Sequence, residues 1–309
     1  MRRHLRPFVV LLGWLLSASA SMAASVLVVS SERNAAYGEA AESLMTELER
    51  GGVARTEVKF VTVSEWGEGG DRSFKLVVTL GFEAAQALVA SEARPPVLSA
   101  LLPRSSFERI LRVSGRKVSG QLSAIYLDQP LSRQVALIRL ALPSVRRVGV
   151  LWGTESFIHA PALRSLAPSS GFQFVEANVI ASEPLFPDLK RVLDDSDVLL
   201  ALADPTVFNS NTIQNVLLAS FRARVPVLAF SPAYVRAGAL MALYVTPTQV
   251  GQQVAFVVRG VLQGKPLPSS PSYAQNFSVA VNEHVARSLG LALDADGLAS
   301  QLRQREGAP

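Results

Sequence analysis

The reading of this chain turns on residues 197 to 228. A buried apolar run, Asp197 to Ala203 (DVLLALA), meets Asp204-Pro205-Thr206, a helical segment follows from Thr212 to Arg224, and Pro226-Val227-Leu228 opens another strand. Short apolar runs alternating with helical segments mark βαβ units, whose parallel strands are buried on both faces. The same order stands earlier: Lys75 to Leu80 (KLVVTL), Gly81, a helix over Phe82 to Glu92, then Pro96-Val97-Leu98. Outward from these, Ser25 to Ser30 (SVLVVS), helix Ala35 to Glu49 with its stop at Gly51-Gly52, and strand Glu57 to Val63 precede the first copy. Arg147 to Leu151 (RVGVL), helix Ala160 to Leu166 with its stop at Gly171, and strand Phe172 to Val179 precede the second. One order occurs twice, about 120 to 130 residues apart. The fold class is therefore α/β, with two similar doubly wound parallel-sheet lobes joined by a hinge.

The intervening segments read as passages between lobes. Gln121 to Asp128 is extended and leads through Gln129-Pro130 into helix Ser132 to Leu142. Tyr244-Val245-Thr246-Pro247 leads into helix Gln249 to Leu262, and Phe277 to Asn282 is a third extended run. The expected division is 24–127 plus about 247–275 for lobe 1, and 128–246 plus about 276–309 for lobe 2, with Asp128, Tyr244 and Thr246 at the hinge.

With 309 residues, 49% apolar and 18% charged, the chain is neither disordered nor a miniature needing staples, and it has no cysteine. Residues 1–23 carry Arg2, Arg3 and Arg6, an apolar run from Phe8 to Leu16, and small residues ending Ser21-Met22-Ala23. That is the pattern of a secretory leader, and the run is too short to span about 30 Å of hydrocarbon. The sequence places the protein in the periplasm, with no stable membrane insertion of the mature chain. Net charge is +5, and removing the three leader arginines leaves +2. The other basic residues are scattered, so nucleic acid is not a partner.

Enzyme signatures are sparse. Past the leader only His159 and His284 remain, and no metal-ligand spacing accompanies them. A nucleophile elbow is missing, and Gly260 to Pro266 fails the phosphate-loop pattern. No catalytic residue, metal or cofactor is expected.

From Ala201 to Gly251 the features become specific: Asp204-Pro205-Thr206, Asn209, the helix to Arg224, Val225-Pro226-Val227, Tyr234-Val235-Arg236-Ala237-Gly238-Ala239, and Tyr244 before the helix containing Gly251. Asp128-Gln129-Pro130, Val148 to Leu151, and Val281-Asn282 with Val285 to Leu291 add to them. Together these resemble the ABC-transporter substrate-binding proteins of the type I periplasmic-binding fold, in the branch with tryptophan- and tyrosine-type members. The resemblance implies two lobes that close on a small-molecule ligand by hinge bending and dock on an ABC permease, with no chemistry performed. A periplasmic sensor signalling to a membrane receptor is the alternative, and an enzyme using the same cleft the third.

Candidate ligand contacts follow from the carboxyl ends of the strands, where open parallel sheets hold ligands. In lobe 1 they are Ser30 and Ser31, with hydroxyls for a polar head group or for helix capping; Gly81, a close approach at a helix start or a tight turn; Ser105; and Tyr126. In lobe 2, Trp152 stacks on a ligand or packs the lobe; Thr154 and Ser156 donate to a carboxylate; Asp204 fixes an ammonium; and Thr206, Ser231 and Tyr234 complete the set. These groups suit an amino-acid-like ligand.

Overall fold

The structure, a computed structural model, describes residues 25–67, 73–90 and 95–307; the expected leader lies outside them. The chain opens with β1 (Val26–Ser30), whose five residues are all buried. Helix α1 (Ala35–Arg50) starts where the Asn34 side chain accepts the Tyr37 N–H at 2.9 Å. Strands β2 (Val58–Thr62) and β3 (Leu76–Leu80), helix α2 (Phe82–Val89), β4 (Val97–Leu102), α3 (Arg104–Ser114) and β5 (Leu122–Tyr126) follow. Next come α4 (Leu131–Ala141), β6 (Arg147–Trp152), α5 (Ala160–Arg164), α6 (Ala167–Ser170), β7 (Gln173–Asn178) and α7 (Leu185–Asp194). They continue into β8 (Val198–Leu200), α8 (Ile213–Arg222), β9 (Val227–Ala229), α9 (Pro232–Ala237) and β10 (Met241–Tyr244). The rest comprises α10 (Pro247–Leu262), β11 (Ser272–Tyr273), β12 (Ser278–Val281), α11 (Glu283–Ser288) and α12 (Ala295–Glu306).

Two sheets result, ordered β11-β5-β4-β3-β1-β2 and β12-β10-β9-β8-β6-β7. Every pair is parallel except β10 with β12. In each sheet the winding reverses at equivalent places, between β1 and β3 and between β6 and β8. The chain passes from one sheet to the other after Tyr126, Tyr244 and Tyr273.

Strand alternation sends successive side chains to opposite faces, so each sheet carries two cores. Val26 and Val28 pack with α1 and α10, whereas Leu27 and Val29 pack with α2 and α3. In the second sheet Val148, Val150 and Trp152 meet α4 and α12, and Leu151 and Leu199 meet α7 and α8. At about 25 cal/mol per Å² of apolar surface removed from water, these four layers supply the main drive to fold.

The helix expected over Ala160 to Leu166 is instead a 3-10 turn, Phe157–His159, followed by α5 and α6. Each short helix has proline in its first two positions, and Pro168, lacking an N–H, ends any continuous ladder. Helix α7, between β7 and β8, was not anticipated from the sequence. Its Leu189, Val192 and Leu193 are buried against the second sheet.

Arg133 gathers the passages between the sheets. From α4 its Nη1 donates to Gln129 Oε1 at 2.6 Å in the first passage and to the Ala274 carbonyl at 3.0 Å in the third. Its Nε pairs with Glu306 at 2.8 Å, and its guanidinium lies 4.3 Å from the Phe277 ring centre. With most of the side chain buried, each of these partners compensates lost hydration.

Candidate functional site

The crevices at the two switch points hold the chain's own polar groups. In the first half, Ser31 Oγ donates to the Leu80 carbonyl at 3.3 Å and accepts the Ala84 N–H at 3.1 Å, so it caps α2 from a neighbouring strand end. Gly81 has no side chain to do so. Its φ of +94° and the proximity of Ser31 Oγ and the Tyr37 hydroxyl, both within 3.0 Å of where a β-carbon would stand, require glycine. In the second half the roles exchange. Asp204, 1% exposed, accepts N–H bonds from Glu155 (3.1 Å) and Ser156 (2.7 Å) on Oδ2 and from Thr206 (2.8 Å) on Oδ1. Its carboxylate fills the space over Gly153.

The open space between the sheets lies toward the passages. A cavity of about 40 Å³ is lined by Arg104 and Ser105 of α3, Asp128, Gln129 and Gln134 of the first passage and α4, Ser156 and His159 of the second half, and Tyr273 of β11. Leu131, Leu202, Ala203 and Phe230 supply its apolar wall. These positions follow the carboxyl ends of β4, β5, β6, β8, β9 and β11, so both sheets contribute to one site.

Electrostatics distinguish this cavity. Asp128 Oδ1 accepts the Arg104 N–H at 2.7 Å and caps α3, which starts after Pro103 and has no side-chain cap of its own. Burial raises the Asp128 carboxyl to about 6 against the pull of backbone N–H groups and the Arg104 charge. The Arg104 guanidinium is turned to Glu108 (2.7 Å) and the Tyr273 hydroxyl (3.2 Å). His159 Nε2 lies 3.5 Å from Glu108 Oε2, and neither atom makes a hydrogen bond. Burial, then the charges of Arg104 and Arg112, hold the imidazole below its ordinary value, against Glu108. Beside the cavity, Glu155 pairs with Arg109 Nε at 2.9 Å and accepts from Ser106 Oγ at 3.3 Å, joining the two halves.

Of the sequence-predicted contacts, Ser105, Ser156 and the hinge residue Asp128 meet at this cavity. The others are placed elsewhere. Trp152 is 0% exposed in the second half's core, and its Nε1 donates to Glu176 at 2.6 Å, so it offers no face to a ligand. Asp204 is saturated by backbone donors and does not await an ammonium. Ser30 is buried and donates to the Glu32 carbonyl at 2.9 Å, while Ser31 and Gly81 form the α2 cap. Tyr126 packs beneath the cavity between Phe107 (6.2 Å) and Tyr273 (5.2 Å). Ser231 caps α9 by accepting the Ala233 N–H at 3.2 Å, and Tyr234 stacks edge-on to Phe230 at 4.8 Å. Thr154 is exposed, and Thr206 serves through its backbone. Of the hinge set, Tyr244 still pairs within the sheet, and Thr246 caps α10 with Gln249. Sequence reasoning missed Arg104, Gln129, Gln134 and Tyr273 and set His159 aside. Their common signal was position just beyond a strand end or a crossing.

Among the described residues no helix is long and apolar enough to cross a membrane, and no cluster of His, Cys, Asp or Glu fits a metal ion. A sequence model of the family described as ABC transporter substrate binding protein matches residues 70–301. No curated protein matches. A conserved domain protein from Vibrio cholerae is 23% identical over 89% of this chain and 97% of its own, with a TM-score of 0.61. An ABC domain from Streptococcus pneumoniae in complex with L-Trp is 16% identical over 89% and 98%, with a TM-score of 0.59. A Clostridium difficile substrate-binding protein with adhesive properties, in a ligand-free open structure, is 17% identical over 88% and 96%, with a TM-score of 0.67. At these identities the likeness is one of fold.

Proposed function

The chain belongs to the ABC transporter substrate-binding protein family, and from that premise we propose that it is the periplasmic component of an importer, capturing a small molecule between two lobes and delivering it to an inner-membrane permease. The observation that carries this reading is the cavity built from the strand ends of both sheets and bordered by the passages between them. A site lined from both sides binds more tightly when the halves approach, and only such differential affinity shifts an opening equilibrium. At about 40 Å³ the cavity has room for one or two water-sized groups, so entry of a whole ligand requires the lobes to part. The proposed lobes are 24–127 with about 247–275 and 128–246 with about 276–309, a division that the membership of the strands in two sheets supports. The leader read in residues 1–23 supports export.

The test is ligand recovery. Native mass spectrometry of protein purified from its own periplasm is expected to show a small molecule travelling intact with the chain. Readdition to stripped protein at about 100 times the dissociation constant should stabilise it by about 2.7 kcal/mol. Stimulation of ATP hydrolysis by a reconstituted permease supports import, and ligand binding without it favours a sensor. Turnover of the recovered molecule would overturn the non-enzymatic reading.

A further inference from the structure

We propose that a groove at the amino-terminal edge of the second sheet, between α8, α9 and α11, is a second binding site, separate from the cavity between the halves, for a single-chain carboxylate of the fatty-acid class. Arg222 and Arg224 receive the head group, and the wall of Leu217, Phe221, Val285 and Leu289 receives the chain. The site goes beyond the importer reading and does not depend on it.

The groove opens where β9 begins, at Val225 to Val227, and beside Gly238 at the end of α9, whereas the cavity between the halves follows the carboxyl ends of the strands. The two therefore lie at opposite edges of one sheet, and filling one leaves the other accessible. Its volume of about 600 Å³ lies within the ~300–1,000 Å³ typical of small-molecule sites.

Arg224 occupies the telling position. Helix α8 ends in a Schellman motif: the Val225 N–H donates to the Ser220 carbonyl at 2.9 Å, and the Arg224 N–H to the Phe221 carbonyl at 3.1 Å. That motif puts the residue after the cap in the left-handed region, where glycine is the usual occupant because a β-carbon is strained there. Here the position carries arginine, at a φ of +56°. The fold gains no ion pair from it: among the described residues neither the Arg222 nor the Arg224 guanidinium has a charged or hydrogen-bonded partner, and no Asp or Glu lines the groove. Two free guanidiniums bordering one groove suit a carboxylate, whose paired oxygens match their fork of donors.

The rest of the lining asks for hydrocarbon. Phe221 leaves 66% of its surface in water beside Leu217, Val285 and Leu289. Ser220, 1% exposed, lines the same groove, and its Oγ has no partner, although a helical serine can bond the carbonyl one turn earlier. It is a donor left over for a polar atom of the occupant. The requirements exclude other classes: a short carboxylate leaves the apolar wall wet, a neutral alcohol leaves the arginines unmatched, and an amine is repelled by them. A flat anionic bilayer reaches Phe221 but does not fill a concavity.

The experiment uses full-length mature protein, stripped by unfolding and refolding, in calorimetry with decanoate below its micellar concentration. Decanoate is expected to fill one site, with decanol and decylamine at least about tenfold weaker, as loss of a charge-assisted bond implies, and acetate giving no measurable heat. Arg224→Gly removes the guanidinium and gives the Schellman motif its preferred residue. It should weaken decanoate about tenfold while its melting temperature equals or exceeds the parent's, which separates lost binding from misfolding. A fatty acid bearing a photoreactive diazirine, with labelled peptides mapped by mass spectrometry, should mark segments 217–227 and 285–289. Absent decanoate binding, equal binding of decanol, unaltered affinity in Arg224→Gly, or labelling confined to other segments would each overturn the assignment. Cosedimentation with phosphatidylglycerol vesicles in the absence of decanoate binding would transfer the arginines to a bilayer surface and overturn it too.

Discussion

Gly153 and Asp204 share one space: the Asp204 carboxylate stands where a side chain on Gly153 would begin, and from there it takes the N–H groups of Glu155 and Ser156. A methyl group at Gly153 displaces that carboxylate and leaves a buried charge short of donors. Gly153→Ala is expected to lower unfolding free energy by about 3–5 kcal/mol, the range of broken buried networks, as measured by urea denaturation. An unchanged midpoint would mean the 153–156 loop yields without cost.

The first half makes the parallel test. Ser31→Ala removes the cap on α2 and should cost about 1 kcal/mol. Gly81→Ala should cost more, since it adds a β-carbon at a φ of +94° against Ser31 and Tyr37. Calorimetric melting that ranks the two the other way would remove the reason given for glycine.

Asp128 sets a pH dependence with a definite sign. Its carboxyl titrates at 3.8 in the reference state and at about 6 in the fold, so between those values the native state binds more protons than the unfolded chain. This contribution is complete below 3.8 and is lost as pH rises through 6. Asp128→Asn, neutral throughout and retaining the oxygen that accepts the Arg104 N–H, is therefore expected to be more stable at pH 7.5, by at most about 3 kcal/mol. The two proteins should converge near pH 4 in urea melts. A variant less stable than the parent at pH 7.5 contradicts the sign.

Trp152→Phe separates core from cleft. The change deletes the bond to Glu176 and should reduce stability by about 1–2 kcal/mol, while ligand affinity measured by calorimetry stays within about twofold. A large loss of affinity would return the indole to the ligand.

Arg133 is the side chain whose loss should be felt across the passages. Arg133→Met keeps most of the volume but leaves Glu306, Gln129 and the Ala274 carbonyl without their partner, at an expected cost of about 3–5 kcal/mol. Solution X-ray scattering should also record a wider spread of separations between the halves, whereas an unchanged profile would confine Arg133 to local stability.

The architecture was legible because hydrophobic runs at Ser25 to Ser30, Lys75 to Leu80, Arg147 to Leu151 and Asp197 to Ala203 repeat in one order, and parallel strands need that pattern. The passage at Asp128 was legible because Pro130 breaks the extended run before α4. What escaped depends on distance in space. Whether Asp204 holds a ligand or a backbone loop is decided by Gly153, some fifty positions upstream. Trp152 reads as a stacking group until Glu176 on β7 is seen to occupy its N–H. Arg104 and Tyr273, 169 positions apart, carry no local mark of belonging together. The break between α5 and α6 is marked in the sequence by Pro161 and Pro168, but the apolar spacing from Ala160 to Leu166 fits one continuous helix equally well.

The reciprocal plugging of the two crevices bears on how such a chain can be rebuilt. In one half the plug follows the first strand and the glycine follows the third; in the other the glycine follows the first and the plug follows the third. A chimera that copies one half's loop into the equivalent place of the other thus yields either two plugs in one crevice or none. If the halves descend from one duplicated ancestor, these positions had to change in pairs, and transplanting them singly should fail where transplanting both succeeds.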